Sequence, residues 1–152
     1  MNDTPPIGAG LVEAYRDSVY WLRIEPTPVA IRIGEPNPEL DTLLQRLHAR
    51  RYAVVTAHNP RSLLLRPDEN AARQENLRRH LEQQGYDSLL TEALSGHGDW
   101  PPEIGHFIIG ITQREALRVA RDYQQNAIVY GELGQAPRLL LALESCVGQP
   151  HS

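Results

Sequence analysis

The sequence predicts an α+β domain, and three observations lead there. Apolar runs of strand length, among them 52-YAVV-55, 106-HFIIGI-111 and 127-AIVY-130, punctuate the chain. Two stretches with helical periodicity lie between them, one from Asp68 to Gly85 and one that begins after Thr112. Those helices are separated by two strand-like segments, so the order from Tyr52 to Tyr130 is β-α-β-β-α-β. This is the ferredoxin-like split βαβ order, in which an antiparallel sheet carries both helices on one face. An N-terminal hairpin and helix and a C-terminal strand extend that core. A three-layer α/β arrangement, with the segment Leu40–Leu47 on the opposite face, fits the same order of elements.

Residues 1–10, rich in Pro and Gly, read as a flexible leader to a single domain over 11–145, with 146–152 as a tail. Residues 11–16 make a short helical turn. The run 18-SVYWLRI-24 reads as a strand broken by Pro26 and Pro28, and 29-VAIRI-33 alternates like a half-buried strand, its hairpin partner. Leu40, Leu43, Leu44 and Leu47 recur at helical spacing over 38–49, with Asn37 as N-cap and Pro38 in the first turn. A strand over 52–57 follows. The next helix spans 68–85, capped by Asp68 and stopped by Gly85; Asn70, Gln74, Leu77 and Leu81 share its inner face. The segment 86–94 is mostly strand, and 95–105, with three Gly and two Pro, is a loop. A buried strand over 106–111 leads to a capping box of Thr112 and Glu115, then a helix with Ala116, Ala120 and Tyr123 inward. Strands over 127–130 and 138–143 form a closing hairpin.

Composition narrows the chemistry. Of 152 residues 41% are hydrophobic and 22% charged, as in a folded chain. All 15 basic residues are Arg, which excludes Schiff-base chemistry, a P-loop lysine and a Ser-Lys dyad. A single cysteine, Cys146, excludes an intramolecular disulfide and a multi-cysteine metal site. The net charge of -4 argues against nucleic acid as a partner, and no apolar segment reaches membrane-spanning length. A cytoplasmic location is expected. No cofactor or metal is expected either; His97, Asp99, Glu103 and His106 form the one His/carboxylate grouping, and solvated loop residues are its plainer reading.

The stretch 55-VTAHNPRS-62, then Glu69-Asn70 with Asn76 and Leu77, then Gly98, Trp100, Glu103, Ile109-Gly110-Ile111, Gln125 and Ala127, form an ordered set of sparse signals. Through them the chain resembles a family of bacterial domains of unknown function, number 3293 in its series, over about residues 50–143. The chain departs from the family at His58, where an aromatic is common, and at His106, where Ser is common. The resemblance implies a domain and the positions of candidate residues, not an enzyme class.

Read from their own chemistry, Thr56, His58, Asn59, Arg61 and Ser62 stand at a strand end and its turn. Asn59-Pro60 is a turn signal, and Arg61 is either a solvated side chain or an anion clamp. Asn70 faces the sheet with Leu77 and needs partners that the 56–62 turn can supply, as structural bonds or as a polar pocket. Glu103, behind Trp100 and two prolines, either has a raised pKa or receives an Arg. Gln125 either bonds the turn or recognises a ligand. The expected function is binding of a small polar or anionic ligand, in a regulatory role, by Thr56, His58, Asn59, Arg61, Ser62, Asn70, Glu103 and Gln125. The alternative is a small enzyme with His58 and Glu103 as catalytic acid and base on a nucleotide or a phosphorylated or carboxylated metabolite. A third reading is a protein-interaction module, with a homo-oligomer formed through exposed sheet edges.

Overall fold

The computed structural model describes residues 9–96 and 100–142, with side chains from residue 12 onward. Along the chain lie α1 (Ala9–Asp17), β1 (Val19–Leu22), β2 (Val29–Ile31), α2 (Pro38–Arg46) and β3 (Arg51–Thr56). A 3-10 turn at Pro60–Ser62 leads to α3 (Pro67–Gln83), β4 (Ser88–Leu94), β5 (Glu103–Ile109), α4 (Gln113–Asp122), β6 (Ala127–Glu132) and β7 (Arg138–Leu141). The leader before residue 9, Cys146 and the C-terminal tail, and His97 and Asp99 in the loop before β5 lie outside the described residues.

The α+β class is as expected. The strands form one sheet in the order β2-β1-β4-β5-β3-β6-β7, every neighbouring pair antiparallel. Both hairpins expected at the two ends of the chain are present, β1 with β2 and β6 with β7. The period-two alternation of β3 sorts the core. Ala53 and Val55 pack with Leu77 and Leu81 of α3 and Ala116, Val119 and Ala120 of α4. Tyr52 and Val54 face the other way, with Phe107, Val129 and Leu40, Leu43 and Leu44 of α2. Two helices therefore cover one face of the antiparallel sheet and α2 covers part of the other, so the opposite-face placement of the leucine helix is what the structure has. The rest of that second face is left to α1 and a cavity.

Local chemistry explains most boundaries. The Asn37 side chain accepts from Leu40 N at 3.1 Å, capping α2 ahead of Pro38 as its spacing suggests. Thr112 Oγ1 caps α4 by accepting from Glu115 N at 3.2 Å. Three boundaries differ from expectation. Asp68 is not the cap of α3: Pro67, which has no N–H to lose, takes the first helical position, and Arg66 N donates to Glu69 Oε1 at 3.0 Å. Tyr123 is the C-cap of α4 rather than part of its body; it is half-buried and packs against the same core as Ala116, Val119 and Ala120. Most important for the site, β5 starts at Glu103, not His106, because Glu103 and Ile104 pair with Ala93 and Glu92 of β4. No described helix is long and apolar enough to cross a membrane.

His106 and Glu103 sit three positions apart on β5 and so face opposite sides of the sheet. His106 is 2% exposed on the α3 side, with Nδ1 3.1 Å from Ser88 Oγ and Nε2 without a partner. Burial, then the nearby Arg78 guanidinium, lowers its pKa from 6.5 to about 4, against a smaller opposing effect of Glu75. The unfolded chain takes up this proton first, so the stability held above pH 6.5 is lost as the pH falls toward 4. His106→Leu should remove that slope, worth on the order of 2 kcal/mol between pH 7 and 4.5. Urea unfolding across that range checks this, and an equally steep slope in the variant would assign it to other groups.

Candidate functional site

The turn after β3 is held in an uncommon backbone shape. Asn59, Arg61 and Ser62 have φ of 48°, 53° and 62°, in the left-handed region that non-glycine residues avoid. Side-chain bonds hold it there. Thr56 Oγ1 donates to Ile104 O at 2.6 Å and accepts from His58 N at 3.0 Å. Gln125 Nε2 donates to His58 O at 3.0 Å and Tyr123 O at 3.2 Å, and Arg61 N donates to Gln124 O at 2.7 Å. From the α3 side, Arg73 donates to the carbonyls of Ala57 and Tyr123.

Asn59 is the centre of this arrangement. It is 3% exposed, and its Oδ1 accepts from Leu65 N and Asn70 Nδ2, both at 2.9 Å. Asn70 Oδ1 returns a bond by accepting from Asn59 N at 2.9 Å. With the oxygen engaged by donors, the Asn59 amide nitrogen faces Glu103 and donates to its Oε2 at 2.8 Å. Trp100 Nε1 donates to the same oxygen at 2.9 Å.

Glu103 stands in the wall of a cavity of about 320 Å³ on the face of the sheet opposite α3. Apolar side chains such as Val54, Ala93 and Val129 form its floor, and the N-terminal segment adds Tyr15, Ser18 and Tyr20. Tyr15 Oη lies 3.4 Å from Ser62 Oγ, which also accepts from Asn126 Nδ2 at 3.0 Å; Tyr20 Oη donates to Tyr15 O at 3.3 Å. No arginine or histidine borders the cavity among the described residues. Burial therefore lifts the Glu103 carboxyl above its ordinary 4.5, and the bonds from Asn59 and Trp100 only partly oppose this.

Of the residues expected to form a site, Thr56, Asn59, Ser62, Glu103 and Gln125 share this cavity. Asn70 stands behind it as the partner of Asn59. His58 and Arg61 are not brought in. His58 is half-buried away from the cavity, and burial followed by Arg73 lowers its pKa, so it does not form an acid–base pair with Glu103. Arg61 is exposed and makes no ion pair among the described residues, because its left-handed backbone turns it from the cavity. The Arg61–Glu103 contact is thus not formed among the described residues. No group of three or more His, Cys, Asp or Glu is placed to hold a metal among the described residues.

Sequence reasoning missed Tyr15, Ser18, Tyr20 and Thr91. The only signals available were a polar residue on the inward side of a strand at Thr91 and the phase of Tyr20 with Leu22; the segment around Tyr15 is too short to show a phase.

The fold and cavity define an α+β domain with a partly open cavity on one face of an antiparallel sheet. Residues 55–128 match the model of a family described as a protein of unknown function, DUF3293, which assigns that region to the family. No curated protein and no solved structure matches the chain.

Two variants test this geometry. Glu103→Gln keeps an oxygen for Asn59 and Trp100 while removing a charge buried without a cation. The raised carboxyl contributes stability below pH 4.5 that is lost as the pH rises through its folded pKa. The variant should therefore melt higher than wild type at pH 8 by about 2–4 °C and equally at pH 4. Calorimetry at the two pH values decides; a lower melting point at pH 8 would show that the carboxylate has a cationic partner. Asn70→Ala leaves Asn59 N and Oδ1 short of partners, and should lower the unfolding free energy by about 2 kcal/mol in urea titrations. A loss within about 0.5 kcal/mol, as for an ordinary surface change, would show that the turn is held elsewhere.

Proposed function

We propose that this is a small-ligand-binding domain and that the cavity beside Glu103 is its site. The observation that carries the reading is a desolvated carboxyl group, held by two neutral donors and no cation, in the wall of an otherwise largely apolar cavity. Leaving such a group without a counter-charge costs stability, and sites that bind or react are where folds bear that cost. A cavity near 320 Å³ is at the small end of ligand pockets. The left-handed residues of the neighbouring turn point the same way, since backbone strain gathers at sites that must be held in shape.

Recognition is favoured over turnover because no second acid–base group joins Glu103 among the described residues: His58 lies outside, and Glu103 is the one charged group of the wall there. This is the basis for a regulatory rather than catalytic role, and a cytoplasmic location belongs to the same proposal. The ferredoxin-like reading of the core does too. It is supported by the order β6-β3-β5-β4, with α3 and α4 on one face.

A thermal-shift screen of small polar molecules with apolar bodies, run on the full chain, tests the site. At least one should stabilise the wild type in a concentration-dependent way. Ala93→Leu, which fills the floor, should abolish that shift while leaving the unliganded melting point within a few degrees. A ligand that stabilises both proteins equally would place the binding site elsewhere.

A further inference from the structure

We infer that the ligand is a small organic cation, with a protonated amine seated against Glu103 and Gln125 and a compact apolar body on the floor of the cavity. This rests on the small-ligand reading above and narrows it to a chemical class.

The argument is a balance of hydrogen-bond donors and acceptors. The N–H groups that border the cavity are engaged within the protein. Asn59 Nδ2 and Trp100 Nε1 both donate to Glu103 Oε2, and Gln125 Nε2 donates to two main-chain carbonyls. The amide orientations are dictated by their partners. A backbone N–H, that of Leu65, can only be met by the Asn59 oxygen, and the carbonyls of His58 and Tyr123 can only be met by the Gln125 nitrogen. The groups left over include two carbonyl-type acceptors and a hydroxyl. Glu103 Oε1 and Gln125 Oε1 accept no bond among the described residues, and the Thr91 hydroxyl has no partner there either. None of the three is sealed away from open space, as the Tyr52 hydroxyl and the Gln74 amide are.

A ligand group that meets Glu103 Oε1 and Gln125 Oε1 must donate. An ammonium group brings three donors and a positive charge to a carboxylate that has no counter-ion. Tyr15, Tyr20 and Trp100 line the same cavity, and the faces of aromatic rings attract cations. An anion would meet Glu103 with no arginine to offset the repulsion. A neutral alcohol would satisfy one acceptor and leave the carboxylate uncompensated.

Isothermal titration of the full chain with benzylammonium, benzyl alcohol and benzoate separates the classes at equal size. Benzylammonium should bind about tenfold or more tightly than benzyl alcohol, and benzoate should not bind. In Glu103→Gln the ratio of benzylammonium to benzyl alcohol affinity should fall to about one. On the wild type alone, acidification through the carboxyl range should weaken ammonium binding and leave alcohol binding unchanged. Benzoate binding best, or an ammonium-to-alcohol ratio unaltered in Glu103→Gln, would overturn the cation inference while leaving a ligand site in place. Failure of all three to bind the wild type would overturn the cation inference; if the broader screen also finds no ligand that depends on Ala93, the binding reading falls with it.

Discussion

The Asn59 side chain bonds to Glu103 through its nitrogen and to Leu65 and Asn70 through its oxygen, so one amide fixes the turn after β3, the approach to α3 and the acid of the cavity together. Each partner restricts the others. Asn70 reaches Asn59 only because it lies on the sheet-facing stripe of α3 with Leu77 and Leu81. That stripe is anchored by packing on the strands, and the amide pair carries the anchoring to the turn. The left-handed conformations at Arg61 and Ser62 each cost on the order of 1 kcal/mol or more, and they persist because the bonds around them over-determine the path.

Charge is arranged in keeping with this. Arg73 clamps the turn from the α3 side through the carbonyls of Ala57 and Tyr123, while Glu103 is met from the opposite side of the sheet. The cation that steadies the backbone is thus kept from the carboxyl group, and its nearby charge helps keep His58 neutral. With Arg61 turned out to solvent, the cavity wall holds one carboxyl group and no Arg or His among the described residues. In the binding reading proposed above, a wall of that kind would discriminate by sign of charge, which is why a ligand that donates hydrogen bonds is proposed in place of the expected polar or anionic one.

Much of the fold was legible in the sequence because its signals are local. Asn37-Pro38 and Thr112 each report on a few neighbouring residues, and both cap their helices as expected, Thr112 through its own side chain without the reciprocal Glu115 bond of a full box. The strand start at Glu103 was not legible, because what extends β5 is pairing with β4, and Trp100, Pro101 and Pro102 signal a loop. The site divides in the same way. That Asn70 and the 56–62 turn would meet followed from helix phase, and Glu103 stood out by its neighbours. The direction of Arg61 did not follow from sequence, since it depends on a backbone conformation that Arg rarely adopts and that only the surrounding bonds sustain. Nor did the contribution of Tyr15 and Tyr20, which reach the cavity through β1 pairing with β4, a contact across some seventy residues of chain.

The cavity wall comes from two parts of the chain. The groups that set polarity, Asn59, Trp100, Glu103 and Gln125, all lie within the stretch 55–128 that matches the family. Asn59 and Trp100 both bond Glu103, and Gln125 bonds the main chain of His58 and Tyr123, so this part of the wall is tied to the domain core. Tyr15, Ser18 and Tyr20 come from before that stretch; Tyr20 is held in β1 between β2 and β4, and Tyr15 approaches Ser62 at 3.4 Å. In the binding reading proposed above, the two parts of the wall would divide the selection. The core would set which charge and which hydrogen-bond donors are accepted, and the N-terminal segment would set the size and shape of the apolar body. Changes at Tyr15 or Tyr20 should therefore act on ligand bulk, while the sign of the preferred charge stays with Glu103.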